Sequence, residues 1–157
     1  PAWPDGAPSV LPAADERLRL VIVGRLNEGK GLRMLEPCLP ALTEHAELYL
    51  IGPGKAAEAL FGRAGIHIQL DYERHELPAR LAGVRPHAAL LLSTVAESFS
   101  YTLSEIWSLG IPPIATRLGA FAERIQPGHD GLLVEPEPQA LLQLVAQLAA
   151  DRSLLTQ

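Results

Sequence analysis

Two carboxylates, Glu97 and Glu105, stand eight positions apart in Glu97-Ser-Phe-Ser-Tyr-Thr-Leu-Ser-Glu105. Two cations, Arg25 and Lys30, share the stretch Gly24-Arg-Leu-Asn-Glu-Gly-Lys-Gly31. Each stretch lies where a short apolar run gives way to a helical pattern. Carboxylates accept hydrogen bonds from sugar hydroxyls. Helix-start amides hold anions, and beside them Arg can grip two oxygens while Lys supplies a point charge. Together the residues point to a pocket for a molecule carrying both a phosphate and polyols.

Within the first stretch, Gly24, Gly29 and Gly31 permit tight turns or a close backbone approach. The pattern is neither G-x-G-x-x-G nor a Walker A sequence. On its residues alone it reads either as a diphosphate loop or as a glycine-rich loop with solvated charges. In the second stretch, Thr102-Leu-Ser-Glu105 has the form of a capping box, with Ser100 as the alternative cap. A helix starting near Tyr101 leaves Glu97 on the loop and Glu105 in the first turn. Glu105 then either closes its own cap or turns outward to two ribose hydroxyls. Glu97 is either a ligand-facing or a solvated loop carboxylate. The amides of Ser98, Phe99, Ser100, Tyr101 and Thr102 are expected to point into the cleft.

These residues need a frame that brings two strand-to-helix junctions together. Apolar runs predict strands over 19–24, 47–51, 66–70, 88–92, Pro113–Thr116 and 131–135. Helical patterns fall between them, over 31–44, 56–64, 76–82, 102–109 and 120–125, and after the last over Pro138–Ala150. Pro37 and Pro40 are expected to shorten or kink the first helix. Gly83 and Gly110 are expected to end the third and fourth. Ala88 to Leu92 are all apolar, as in a strand covered on both faces. The alternation predicts a doubly wound, Rossmann-like α/β fold: a six-stranded parallel sheet with helices on both faces. Ligands of such sheets bind at the carboxyl edge. Residues 1–17, rich in proline, read as a lead-in or interdomain linker, and 18–157 as the folded domain.

Composition removes several alternatives. The chain has 157 residues, 48% hydrophobic and 20% charged, which argues against disorder. Its formal charge is −5, with no basic block interleaved with aromatics, so no nucleic-acid partner is expected. Cys38 is the single cysteine and reads as a buried thiol. His45, His67, His75, His87 and His129 lack metal-ligand spacing, and no metal site is expected. Ser93, Ser98 and Ser104 have no recognisable base or G-x-S-x-G elbow. Trp3 reads as linker packing and Trp107 as core or interface. No transmembrane span or signal peptide is visible, so the expected compartment is the cytoplasm, with membrane association open for the full-length protein.

The ordered motifs resemble the C-terminal, donor-binding domain of GT-B fold retaining glycosyltransferases of group 1, or family 4. Gly24-Arg25-Leu26 with Lys30-Gly31 is similar to that family's phosphate loop, and Glu97 to Glu105 to its E-x7-E signature. Ser108-Leu-Gly-Ile-Pro-Pro-Ile-Ala, then Gly119 with Glu123, then Asp130-Gly-Leu-Leu-Val134 resemble its later segments. The resemblance implies a nucleoside diphosphate sugar as donor and transfer, with retention, to a hydroxyl acceptor. By position, Gly24, Arg25 and Lys30 would meet the diphosphate, Glu97 the transferred sugar and Glu105 the ribose. Backbone at 98–102 would meet sugar or phosphate oxygens. The base would lie near Gly52, Asp71 and Tyr72. No metal or other cofactor is implied. Ser98 and Ser100 stand where the family often has glycines, which bears on pocket width. The family's N-terminal lobe, which supplies the site for an acceptor saccharide or lipid-linked glycan, is not in this sequence, so this chain alone is expected not to turn over. The competing functions are a non-catalytic nucleotide-sugar-binding or interaction domain and a sugar-nucleotide epimerase or hydrolase.

Overall fold

The structure, a computed structural model, describes residues 17–26, 31–70, 72–94 and 100–151. Six strands form one parallel sheet: β1 (Leu18–Val23), β2 (Ala46–Ile51), β3 (Ile66–Gln69), β4 (Ala88–Leu91), β5 (Pro113–Thr116) and β6 (Leu132–Val134). Their order is β3-β2-β1-β4-β5-β6. β1 runs beside β2 from Leu18↔Ala46 to Val23↔Ile51, and beside β4 at Leu20↔Ala88 and Val21↔Ala89. The chain thus winds outward from β1 in one direction, crosses over, and winds outward from β4 in the other. The boundary between β1 and β4 is the switch point where such sheets bind ligands.

The alternation of side chains along β1 separates two layers. Leu18, Leu20 and Ile22 join Leu35, Leu39, Leu42, Leu141, Val145 and Leu148 in one buried cluster. This is the face of α1 (Leu32–Leu35), α2 (Leu39–His45) and α6 (Pro138–Ala150). Val21 points the other way and meets Leu77, Leu81 and Ile106. Leu91, Leu103, Ala115, Phe121 and Ile125 continue that second layer. Its helices are α3 (Leu77–Val84), α4 (Tyr101–Ser108) and α5 (Gly119–Arg124). Both faces of the sheet are covered, as the apolar runs predict.

The helices differ from expectation in three places. The predicted helix over 31–44 is α1 and α2 joined by a 3-10 turn, Glu36–Cys38, because Pro37 and Pro40 withdraw N–H donors from the ladder. The predicted helix over 56–64 is a 3-10 helix, Lys55–Leu60. Gly54 (φ 81°) and Gly62 (φ 78°) bound a segment too short for a stable α nucleus. Gly83 does not end α3, which continues to Val84. It stops at Arg85 (φ 54°), since Pro86 disfavours the right-handed helical conformation at the residue before it. The carbonyl of Arg85 accepts Arg19 Nε at 2.9 Å, which fixes this left-handed cap to the start of β1.

Gly110 ends α4 as predicted. With φ 75°, it donates its N–H to Trp107 O at 3.0 Å, and Ile111 donates to Ile106 O at 3.1 Å. This is the Schellman pattern, with Ile106 and Ile111 in the same buried cluster. Cys38 is fully buried, its thiol donating to Pro138 O at 3.3 Å at the start of α6. Burial pushes that thiol above its ordinary pKa. Among the described residues no helix is long and apolar enough to cross a membrane.

Candidate functional site

At the switch point, the carboxyl ends of β1 and β4 part around a cleft of about 290 Å³. Its polar lining includes Gly24, Arg25, Ser93, Ser100 and Thr102. Gly31, Leu26, Leu92 and Phe121 are among the other wall residues.

The β1 side is shaped by glycine. Gly24 (φ 99°) turns the chain out of the strand and donates to Ile51 O at 2.8 Å. Leu26 donates to Pro53 O at 2.8 Å, so the loop after β1 is tied to the turn after β2. Gly31 (φ 111°) starts α1 without a side-chain cap. A Cβ at Gly31 would stand 3.4 Å from the Leu92 Cβ across the cleft wall. The exposed Arg25 side chain runs along Gly54, where an added Cβ would come within 3.3 Å of its Cγ. The Arg25 stem is thus packed against the turn that follows β2.

The β4 side is shaped by side chains. Ser93 follows the strand, and its carbonyl accepts the buried Thr116 hydroxyl at 2.6 Å. Ser100 is the N-cap of α4, in extended conformation, and its Oγ accepts the Leu103 N–H at 3.1 Å. This corrects the capping box read at Thr102 and Glu105. Thr102 is the second helical residue and cannot be the cap, and Glu105 lies in the second turn rather than the first. The cap is the Ser100 alternative, because an extended residue must precede the first helical turn.

The structure thus brings Gly24, Arg25, Ser100 and Thr102 to one cleft. Gly52 and Tyr72 meet each other further along the carboxyl edge: Gly52 (φ 66°) would, with a Cβ, come within 2.5 Å of the Tyr72 ring. Neither they nor Glu105 line the cleft itself. Lys30, Asp71, Glu97, Ser98 and Phe99 lie outside the described residues. Among the described residues no group of three His, Cys, Asp or Glu side chains could hold a metal ion.

Two histidines have structural partners. His87 is buried and its Nδ1 accepts the Arg19 N–H at 2.7 Å. His67 lies 2.8 Å from Glu47 and stacks on Tyr49. Sequence reasoning missed Arg124, which donates to the Ser100 carbonyl at 2.8 Å from 24 positions away. No local pattern marks such a contact, and only the packing of α5 on α4 reveals it.

Comparison with known proteins places this architecture. The family profile of glycosyl transferases group 1 matches residues 17–151. The chain is 28% identical over 144 residues to the D-inositol 3-phosphate glycosyltransferase of Corynebacterium urealyticum, an alignment covering 82% of this chain and 34% of that protein. It superposes on HepE of Anabaena, solved in complex with UDP and glucose, with a TM-score of 0.71 and 20% identity, over 90% of this chain and 41% of that one. It superposes equally on the C-terminal domain of LpcC, a glycosyl transferase group 1 family protein from Francisella tularensis. There the TM-score is 0.69 at 21% identity, over 88% of this chain and 78% of that one. The chain therefore spans about a third of the length of the curated relative it matches. Family match and shared fold agree: this chain belongs to the group 1 glycosyl transferases and has the fold of the LpcC C-terminal domain.

Proposed function

We propose that this domain binds a nucleoside diphosphate sugar and presents it for transfer, with retention, to a hydroxyl acceptor held by a second lobe. The observation that carries the reading is the cleft between β1 and β4, where Arg25 and the capped start of α4 face one space. A bound HepE complex with UDP and glucose in the same fold supports the ligand class.

In the proposed arrangement Arg25 and Lys30 hold the diphosphate, with the loop at Gly24 approaching it closely. Backbone at 98–102 meets phosphate and sugar oxygens. Glu97 orients the transferred sugar and stabilises its positive charge. Glu105 holds the ribose, and the base lies toward Gly52, Asp71 and Tyr72. When the glycosidic C–O bond breaks, its electron pair leaves with the diphosphate. Positive potential already in place lowers that barrier without reorganisation. The electrostatic work is done by cations and helix amides rather than a metal.

The test is a calorimetric screen of UDP, GDP and ADP sugars, repeated with Arg25→Ala and Lys30→Ala. Each variant is expected to weaken nucleoside diphosphate binding by about tenfold, as loss of a charge-assisted hydrogen bond does. Bare nucleoside affinity should barely change. Equal diphosphate affinities in wild type and both variants would reject the arrangement. This chain alone is expected to show no sugar transfer, and turnover by the purified domain would reject the need for a second lobe.

A further inference from the structure

The turn that opens α4 is held from outside its own helix. Arg124, the last residue of α5, donates from Nη1 to the Ser100 carbonyl at 2.8 Å and from Nη2 to Ser104 Oγ at 2.7 Å. Its guanidinium carbon lies 5.0 Å from the centroid of the Trp107 ring. That ring is fixed in turn: Trp107 Nε1 donates to Asp130 O at 2.8 Å, and Asp130 Oδ1 accepts the Gln126 N–H at 2.7 Å. One planar group is therefore held by its edge on two serines and by its face on an indole, an arrangement open to Arg and not to Lys.

The Ser100 carbonyl is the first acceptor of α4. Its helical bond from Ser104 N is long, at 3.3 Å, and the Ser104 hydroxyl is at 3.4 Å. The arginine bond is the shortest of the three and the only one with an ionised donor, which makes it the strongest. At the Ser100 carbonyl, the arginine bond thus outweighs the helix's own. The placement is also electrostatically one-sided. A cation suits the carbonyl end of α5 but opposes the positive end of α4. An anion bound in the cleft would offset that opposition by attracting both.

We propose that Arg124 is a positioning residue for the anion-binding end of the cleft: it fixes the opening turn of α4, through Ser100 and Ser104, so that its amides meet a diphosphate. The ligand in this proposal rests on the donor-binding function above; the geometry does not.

Two variants and two measurements test it. Arg124→Met keeps an apolar stem on Trp107 and removes the fork, whereas Arg124→Lys keeps the charge. Amide hydrogen exchange at Leu103 and Ser104 is followed without ligand, and UDP and uridine are titrated calorimetrically. Arg124→Met should speed exchange at both amides about tenfold, leave α6 amides unchanged, and weaken UDP about tenfold with uridine changed less than about twofold. Arg124→Lys should recover part of the UDP affinity and little of the exchange protection. If Arg124→Met does not fold, Ser104→Ala removes one of the two bonds and should give about threefold effects on both measurements. Unchanged exchange, full rescue of both measurements by Lys, or equal weakening of UDP and uridine would each overturn the proposal. A wild-type chain that binds none of UDP, GDP and ADP overturns the donor function itself, and that result is seen before any variant is made.

Discussion

Two helices begin at the same cleft, and they are held by opposite means. α1 starts at Gly31, in left-handed backbone (φ 111°), with no side-chain cap and only four residues before the 3-10 turn. α4 starts at Ser100, in extended backbone, with the Oγ cap on Leu103 and the Arg124 fork on the Ser100 carbonyl, and runs for eight residues. The first start exists because glycine alone adopts that conformation without strain. The second exists because the Ser100 side chain satisfies an N–H that the helix leaves unmet, while Arg124 adds a charged donor to the helix's first acceptor. Substitution at the first site therefore acts through backbone strain, and at the second through lost bonds.

The sharpest break of this contrast is Gly31→Ala. The new Cβ meets Leu92 at a tolerable 3.4 Å, so the backbone angle sets the cost. A destabilisation of about 1–3 kcal/mol is expected. It should appear as a lower denaturant midpoint at unchanged slope. A wild-type midpoint would show that α1 does not need the left-handed start. Next is Ser100→Ala, expected to cost about 1 kcal/mol through loss of the cap. Equilibrium unfolding measures it, and faster exchange confined to the first turn of α4 locates it.

The smallest effect lies at the amino edge of the sheet and serves as a reference away from the cleft. Glu47 accepts bonds from His67 Nε2 at 2.8 Å and Arg17 Nε at 2.7 Å. The His67 bond first, then Arg17, holds its carboxyl below the ordinary glutamate value. A lowered carboxylate adds stability above its unfolded pKa, about 4.3, and loses that increment as pH falls through the lower folded value. Glu47→Gln should therefore cost no more than about 0.5 kcal/mol near neutral pH, because the pair is partly exposed. The gap to wild type should close in acid. A gap that widens below pH 4 would reverse the sign of this contribution.

Much of the scaffold was legible because its signals are local. The run from Ala88 to Leu92 marked a strand covered on both faces, and Gly110 marked the end of α4. The misread ends show competing local signals. Gly83 resembled a stop, yet the proline after Arg85 sets the boundary. Thr102 and Glu105 had capping-box spacing, yet the extended residue two positions earlier holds the cap. Of the site, Gly24, Arg25, Ser100 and Thr102 were readable as members of two loops, and the fold joins them at one switch point. Arg124 and Gly54 were not readable. Their roles arise from contacts between segments far apart in sequence, where no spacing rule operates.

The lone thiol of Cys38 has a practical consequence. It sits beneath the first turn of α6, bonded to Pro138 O and closed off from solvent. A thiol-reactive dye can reach it only when α6 or the Glu36–Cys38 turn opens. The labelling rate of the unmodified protein is then a clock for that opening, and its slowing on addition of a nucleotide would report, without any engineered probe, how far ligand binding tightens the layer of α1, α2 and α6.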